Sequence, residues 1–132
     1  MKFEEIIKQI TNNTPELLDI PELMALQGRI QPCQHHPEGD AYVHTLLAIK
    51  RARELTDDPR TWFATLVHDF GKAVTDNDNL PHQYNHEILG VPIVQEFCDR
   101  ICAPVDYVKI AIAATREHLN IHRFFKLRSI KK

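Results

Sequence analysis

Five residues of this 132-residue chain carry the kinds of group from which a metal site is built: His44, the adjacent pair His68 and Asp69, His86 and His118. Neutral imidazole and carboxylate are good ligands for transition metals. Several imidazoles buried together without a shared partner would leave costly unsatisfied nitrogens, and a divalent cation removes that cost. Each residue also has an ordinary reading, as a hydrogen-bonded side chain at the edge of a core. Spacing alone leaves both readings open.

The elements that must position these residues read as helices. His44 lies in AYVHTLLAIKRARELT, a helix from Ala41 to about Leu55 with Asp40 as its N-cap. Its stripe includes Leu47, Ala48, Arg51 and Leu55, which predicts an inward-facing imidazole. Asp57, Asp58 and Pro59 start the next helix, which runs through Trp62, Phe63, Leu66 and Val67 to the His-Asp pair and is closed by Gly71. His86 opens a helix that Asn85 caps, on a stripe with Leu89, Ile93 and Phe97; Pro92 is expected to bend or restart it. Pro104 opens the last long helix, where Val105, Val108, Ile112 and Leu119 form an apolar stripe and His118 shares a face with Ala111 and Ala114.

Upstream, Phe3, Ile6, Ile7 and Ile10 stand at helical spacing, and Pro15 and Pro21 begin shorter helices, the second ended by Gly28. Residues 28–40 and 71–84 read as polar loops. No stretch reads as a strand. The expected class is all-α: a compact single-domain helical bundle in which residues 1–28 form a helical leader packed on a body spanning 29–132.

Composition narrows the function classes. A net charge of −2 excludes a global basic field for nucleic acid, so any such contact must be local. No apolar run approaches the roughly 20 residues of a membrane span, and the start MKFEEIIKQI has no signal-peptide core, so a cytoplasmic location is expected. Four glycines supply neither a dinucleotide-binding fingerprint nor a P-loop. Cys33, Cys98 and Cys102 form no CxxC pair and read as buried thiols, with Cys98 and Cys102 on one helix face.

The ordered segments QHHPEGDAYVHT, FATLVHDFGKA, LPHQYNHEILGVPIV and EHLNIHRFFKLR resemble the HD-domain superfamily of metal-dependent phosphohydrolases, named for its His-Asp doublet. Within it they are most similar to the carboxy-terminal HD domain of bacterial tRNA nucleotidyltransferases, over residues 29 to 128. The resemblance implies metal ligation by His44, His68 and Asp69, with His86 and His118 completing a second site. It also implies that Lys72 meets a phosphate oxygen. Several imidazoles disfavour magnesium and suit one or two ions of manganese, iron, cobalt, nickel or zinc; the resemblance points to nickel, cobalt or manganese.

The implied activity is phosphatase, 2'-nucleotidase or 2',3'-cyclic phosphodiesterase, on a phosphorylated nucleotide or an RNA 3' end. Two rivals stand beside it: a non-catalytic RNA- or protein-binding module, and a phosphodiesterase of signalling cyclic nucleotides. Arg123, Lys126, Arg128, Lys131 and Lys132 form a local basic patch suited to weak RNA contact, or to a solvated chain end. Departures from the family are also visible. The nucleotidyltransferase head is absent, which leaves a free-standing HD protein or an excised fragment, with Met1 and the short leader favouring the first. Pro81-His82-Gln83 stands where the family has Pro-Arg-His, and no late aspartate follows Glu117. Glu38 and Asp40 are candidates to orient an imidazole, Asp40 equally to cap the His44 helix.

Overall fold

The structure, a computed structural model, describes residues 1–29, 40–74 and 86–117, with the backbone alone for residue 74 and residues 86–88. Six α-helices carry these residues: α1 (Phe3–Thr11), α2 (Pro21–Met24), α3 (Ala41–Leu55), α4 (Pro59–Val67), α5 (His86–Ile101) and α6 (Val105–Arg116). Short 3-10 segments occupy Pro15–Leu17 and Phe70–Val74. There is no strand among the described residues, and the protein is all-α as its periodicity predicts.

α4 is the central element. It packs against α3 and α6, while α5 packs on α6 and on the 3-10 segment that follows α4. Every residue from Trp62 to Lys72 is buried, the signature of a segment enclosed on all sides rather than one with a solvent face. The helix is short enough to start cleanly because Asp58 accepts a hydrogen bond from the Arg60 backbone N–H at 3.0 Å and Pro59 occupies the first turn. The Arg60 guanidinium also donates to Asp58 and holds its carboxyl below the ordinary range.

Aromatic rings join the layers. Phe63 of α4 stacks on Phe97 of α5 at 6.1 Å, and Phe70 meets Phe97 edge-on at 5.4 Å. Phe3 of α1 packs edge-on against Phe63 and Tyr107, so the leader buries Ile6 and Ile10 in the same core. Buried hydroxyls are satisfied within their own helices: Thr45, Thr65 and Thr115 each donate 2.8 Å bonds to the carbonyl one turn back.

Some details depart from the sequence pattern. α5 continues through Pro92, which is exposed on its outer side; Pro92 itself donates no backbone hydrogen bond there. Among residues 89–101 of α5, the buried positions are Gly90, Val94, Phe97, Cys98 and Ile101, and Leu89 is exposed. Val105 is 70% exposed, and α6 buries Ala111, Ala114 and Thr115 instead, because close approach to α4 and α5 favours small residues. Cys98 is buried and its thiol is pushed up to about 11 by desolvation. Cys102 lies beyond the helix end at φ +60°, exposed, so the two thiols do not share a face.

Candidate metal centre

Consecutive residues on an α-helix point about 100° apart, so two neighbours converge only where the helix ends. α4 ends at Val67; His68 is its C-cap, and Asp69 leads into the 3-10 segment, whose first turn is closed by the Lys72 N–H donating to the Asp69 carbonyl at 3.0 Å. The change of helix type lets the two side chains meet: His68 Nε2 lies 3.3 Å from Asp69 Oδ2, both residues fully buried. Three residues on, Lys72 places Nζ 3.4 Å from the same oxygen. α3 supplies His44, whose Nε2 lies 3.9 Å from it. One carboxylate oxygen is thus the hub for two imidazoles and an ammonium.

The second nitrogen of His68 fixes its tautomer. Nδ1 lies 2.5 Å from the Thr65 carbonyl oxygen, which accepts only, so Nδ1 carries the hydrogen. In the neutral ring, Nε2 then directs a lone pair at Asp69. A lone pair facing a carboxylate oxygen at 3.3 Å is repulsive unless a positive centre lies between them, either a proton on the ring or a metal ion.

The donor set fits the metal. His44, His68 and Asp69 each offer one ligand atom, and these atoms lie within 4.8 Å of one another. Bonds of about 2.0–2.2 Å at angles between octahedral and tetrahedral put ligand atoms about 3.0–3.5 Å apart. The His68–Asp69 edge already meets this; the His44–Asp69 edge, at 3.9 Å, and the His44–His68 edge, within 4.8 Å, are met by movement of the His44 imidazole toward the pair.

His44 does not sit in the middle of the buried face of α3, which is Ala41, Thr45, Ile49, Ala52 and Leu55. Leu47, expected beside it, is 47% exposed. The imidazole occupies the boundary and reaches the hub from there. His86 is the first residue of α5, its side chain not described, and His118 lies outside the described residues, as do Glu38, His82 and the basic residues Arg123, Lys126, Arg128, Lys131 and Lys132. Asp40 is a cap and a tie rather than a partner of His44: its two oxygens accept from Val43 N and Gly28 N, at 2.9 and 2.8 Å.

Gly90 sets how near α5 comes to this turn. A Cβ there would stand 2.9 Å from Thr115 Cγ2 and 3.2 Å from the Gly71 nitrogen, two residues after Asp69. The Gly71 backbone cannot yield without moving Asp69 and Lys72. Gly90→Ala is therefore expected to cost about 1–3 kcal/mol of stability, read as a lower urea midpoint, and to weaken metal binding as well. Two glycine-sized contacts, Gly71 and Gly90, were legible as residues but not as a contact. Arg29 was missed altogether: its guanidinium donates to the Ala73 carbonyl, and nothing in the surrounding composition marks it.

Comparisons with known proteins place the chain in a family. The sequence profile of the HD domain matches residues 41–127. Curated relatives include the Multifunctional CCA protein of Shewanella denitrificans, 45% identical over 109 residues, covering 83% of this chain and 26% of that protein. Those of Teredinibacter turnerae (44% over 108 residues, 82% and 26%) and Legionella pneumophila (40% over 109 residues, 83% and 27%) are similar. The chain thus spans about a quarter of the length of these relatives. No solved structure matches it.

Proposed function

The chain belongs to the HD-domain family, and from that premise we propose that it is a metal-dependent phosphohydrolase acting on nucleotides or RNA ends that carry a 2',3'-cyclic or 2'-phosphate. One observation carries this reading: His44, His68 and Lys72 converge on a single buried oxygen of Asp69. A merely structural Asp-Lys pair has no need of two imidazole nitrogens at the same oxygen. The ligands are His44, His68 and Asp69, with His86 and His118 proposed to join them. Relatives named for CCA support a substrate of the nucleotide or RNA class.

Each residue has a definite task. A bound divalent ion supplies Lewis acidity toward a phosphoryl oxygen and makes water a competent nucleophile near neutral pH. Asp69 provides the negative charge that selects a cation at this point. Thr65 holds His68 with Nε2 directed inward, so the ring need not reorganise on binding. Lys72 carries positive charge within the pocket, placed to offset charge that grows on the phosphoryl oxygens in the transition state. Burial of the doublet excludes competing water and strengthens these interactions.

The reading is tested with metal-stripped protein and protein reconstituted with manganese, cobalt, nickel or zinc, assayed on 2',3'-cyclic AMP and bis-p-nitrophenyl phosphate. Hydrolysis that requires the ion supports it. Protein that binds the ion and hydrolyses neither compound would instead be a non-catalytic module.

A further inference from the structure

Beyond the reading of the pocket as a metal site, on which it rests, we propose that Arg29 and Asp40 are positioning residues that brace the first turn of α3 against the 3-10 segment Phe70–Val74 and so set the approach of His44 to Asp69.

Three of the four groups at the site, His68, Asp69 and Lys72, belong to one short stretch of chain. Among the groups of the described residues, His44 alone arrives from another element, and its 3.9 Å edge to Asp69 is longer than that of His68. That edge depends on how α3 sits relative to the segment after α4. Helix packing sets the separation of α3 and α4 along their length, but His44 lies at the N-terminal end of α3, in its first turn, with its N–H donating to the Asp40 carbonyl at 3.0 Å.

The brace joins that turn to the 3-10 segment. Arg29 accepts the Ala41 N–H on its own carbonyl at 3.0 Å, and its guanidinium reaches across to the carbonyl of Ala73. Both partners belong to helix ends, where backbone groups lack intrahelical partners. Asp40 completes the tie: Oδ1 caps α3 through Val43 N, and Oδ2 holds Gly28 N. Gly28 adopts φ +81°, a left-handed turn that a side chain would strain, and this turn delivers Arg29 to its place. Metal–ligand bond lengths in a well-formed site fall within about 0.2 Å of their ideal values, so ligation requires the 3.9 Å His44 edge to close, and that closure depends on how the brace holds the first turn of α3. Loosening one strut at the His44 end therefore changes ligation before it unfolds the bundle.

The experiment titrates cobalt(II) into the wild-type protein and the variants Arg29→Ala, Arg29→Met and Arg29→Lys. Ligand-field absorption reports the coordination and circular dichroism reports the fold. Arg29→Ala and Arg29→Met are expected to keep their helicity, lose about 10- to 100-fold in cobalt affinity and alter the visible band. Arg29→Lys, whose ammonium can meet the same carbonyl, recovers most of the affinity. Wild-type affinity and spectrum in Arg29→Met would overturn the brace while leaving the metal site standing. A folded Arg29→Lys as weak as the alanine variant would overturn it too. Absence of cobalt binding by the wild type would instead overturn the metal reading, and the brace with it.

Discussion

Asp69→Asn is expected to abolish metal binding and hydrolysis together. The substitution keeps the size of the side chain and removes the negative charge of Asp69, where both imidazole nitrogens and the Lys72 ammonium meet. Loss of a direct ligand should exceed the 10- to 100-fold drop typical of residues behind the ligands, so the fall in affinity is expected to be well over 100-fold. Stability should fall too, because Lys72 is only 6% exposed and would face a neutral amide. Breaking a buried ion pair from one side costs about 3–5 kcal/mol, on the order of 10 °C in Tm for a domain of this size. Metal content by elemental analysis and Tm by calorimetry check both halves. Wild-type metal content in Asp69→Asn would mean that the hub has been misassigned.

Lys72→Met should separate two properties that Asp69→Asn removes at once. The ammonium lies 3.4 Å from Asp69 Oδ2 and competes with a bound cation for the same negative charge. With that charge deleted, metal affinity is expected to hold or rise, and the increase in Tm on adding metal should grow. Turnover should nevertheless fall about 10²- to 10³-fold, the usual consequence of losing one preorganised positive group near a developing charge. Methionine fills the aliphatic volume of the lysine stem, which keeps packing losses small. Titration calorimetry and steady-state kinetics read the two effects separately. A parallel loss of affinity and turnover would reduce Lys72 to a structural cation.

Much of this arrangement was written in local signals. The caps Asp40 and Asp58 and the proline starts act within a few residues, and each appears where its chemistry places it. Gly71, expected to close the helix of the His-Asp pair, instead lies inside the 3-10 segment after α4 has ended at Val67. The His-Asp doublet was legible because two ionisable neighbours at the end of an apolar run are a local anomaly. Register was less legible. The periodicity put His44 on a stripe with Leu47, whereas the neighbours of α3 cover the face one residue away. Which stripe is covered depends on the partner helix, and no window of one helix contains that information. Long-range ties were invisible for the same reason. Arg29 meets Ala73 across 44 residues, and Gly90 meets Gly71, through folding of the whole chain. A polar hydrogen bond to a carbonyl leaves no compositional trace at either end.

The most direct test of the account is reconstitution of the metal-stripped protein with increasing manganese or cobalt, with bound metal and hydrolysis of 2',3'-cyclic AMP measured on the same samples. The account predicts that activity is absent from the stripped protein, rises in proportion to bound metal, and stays absent in Asp69→Asn at every concentration. Hydrolysis that persists at full strength without metal, or protein that remains inactive with every ion supplied, would contradict it.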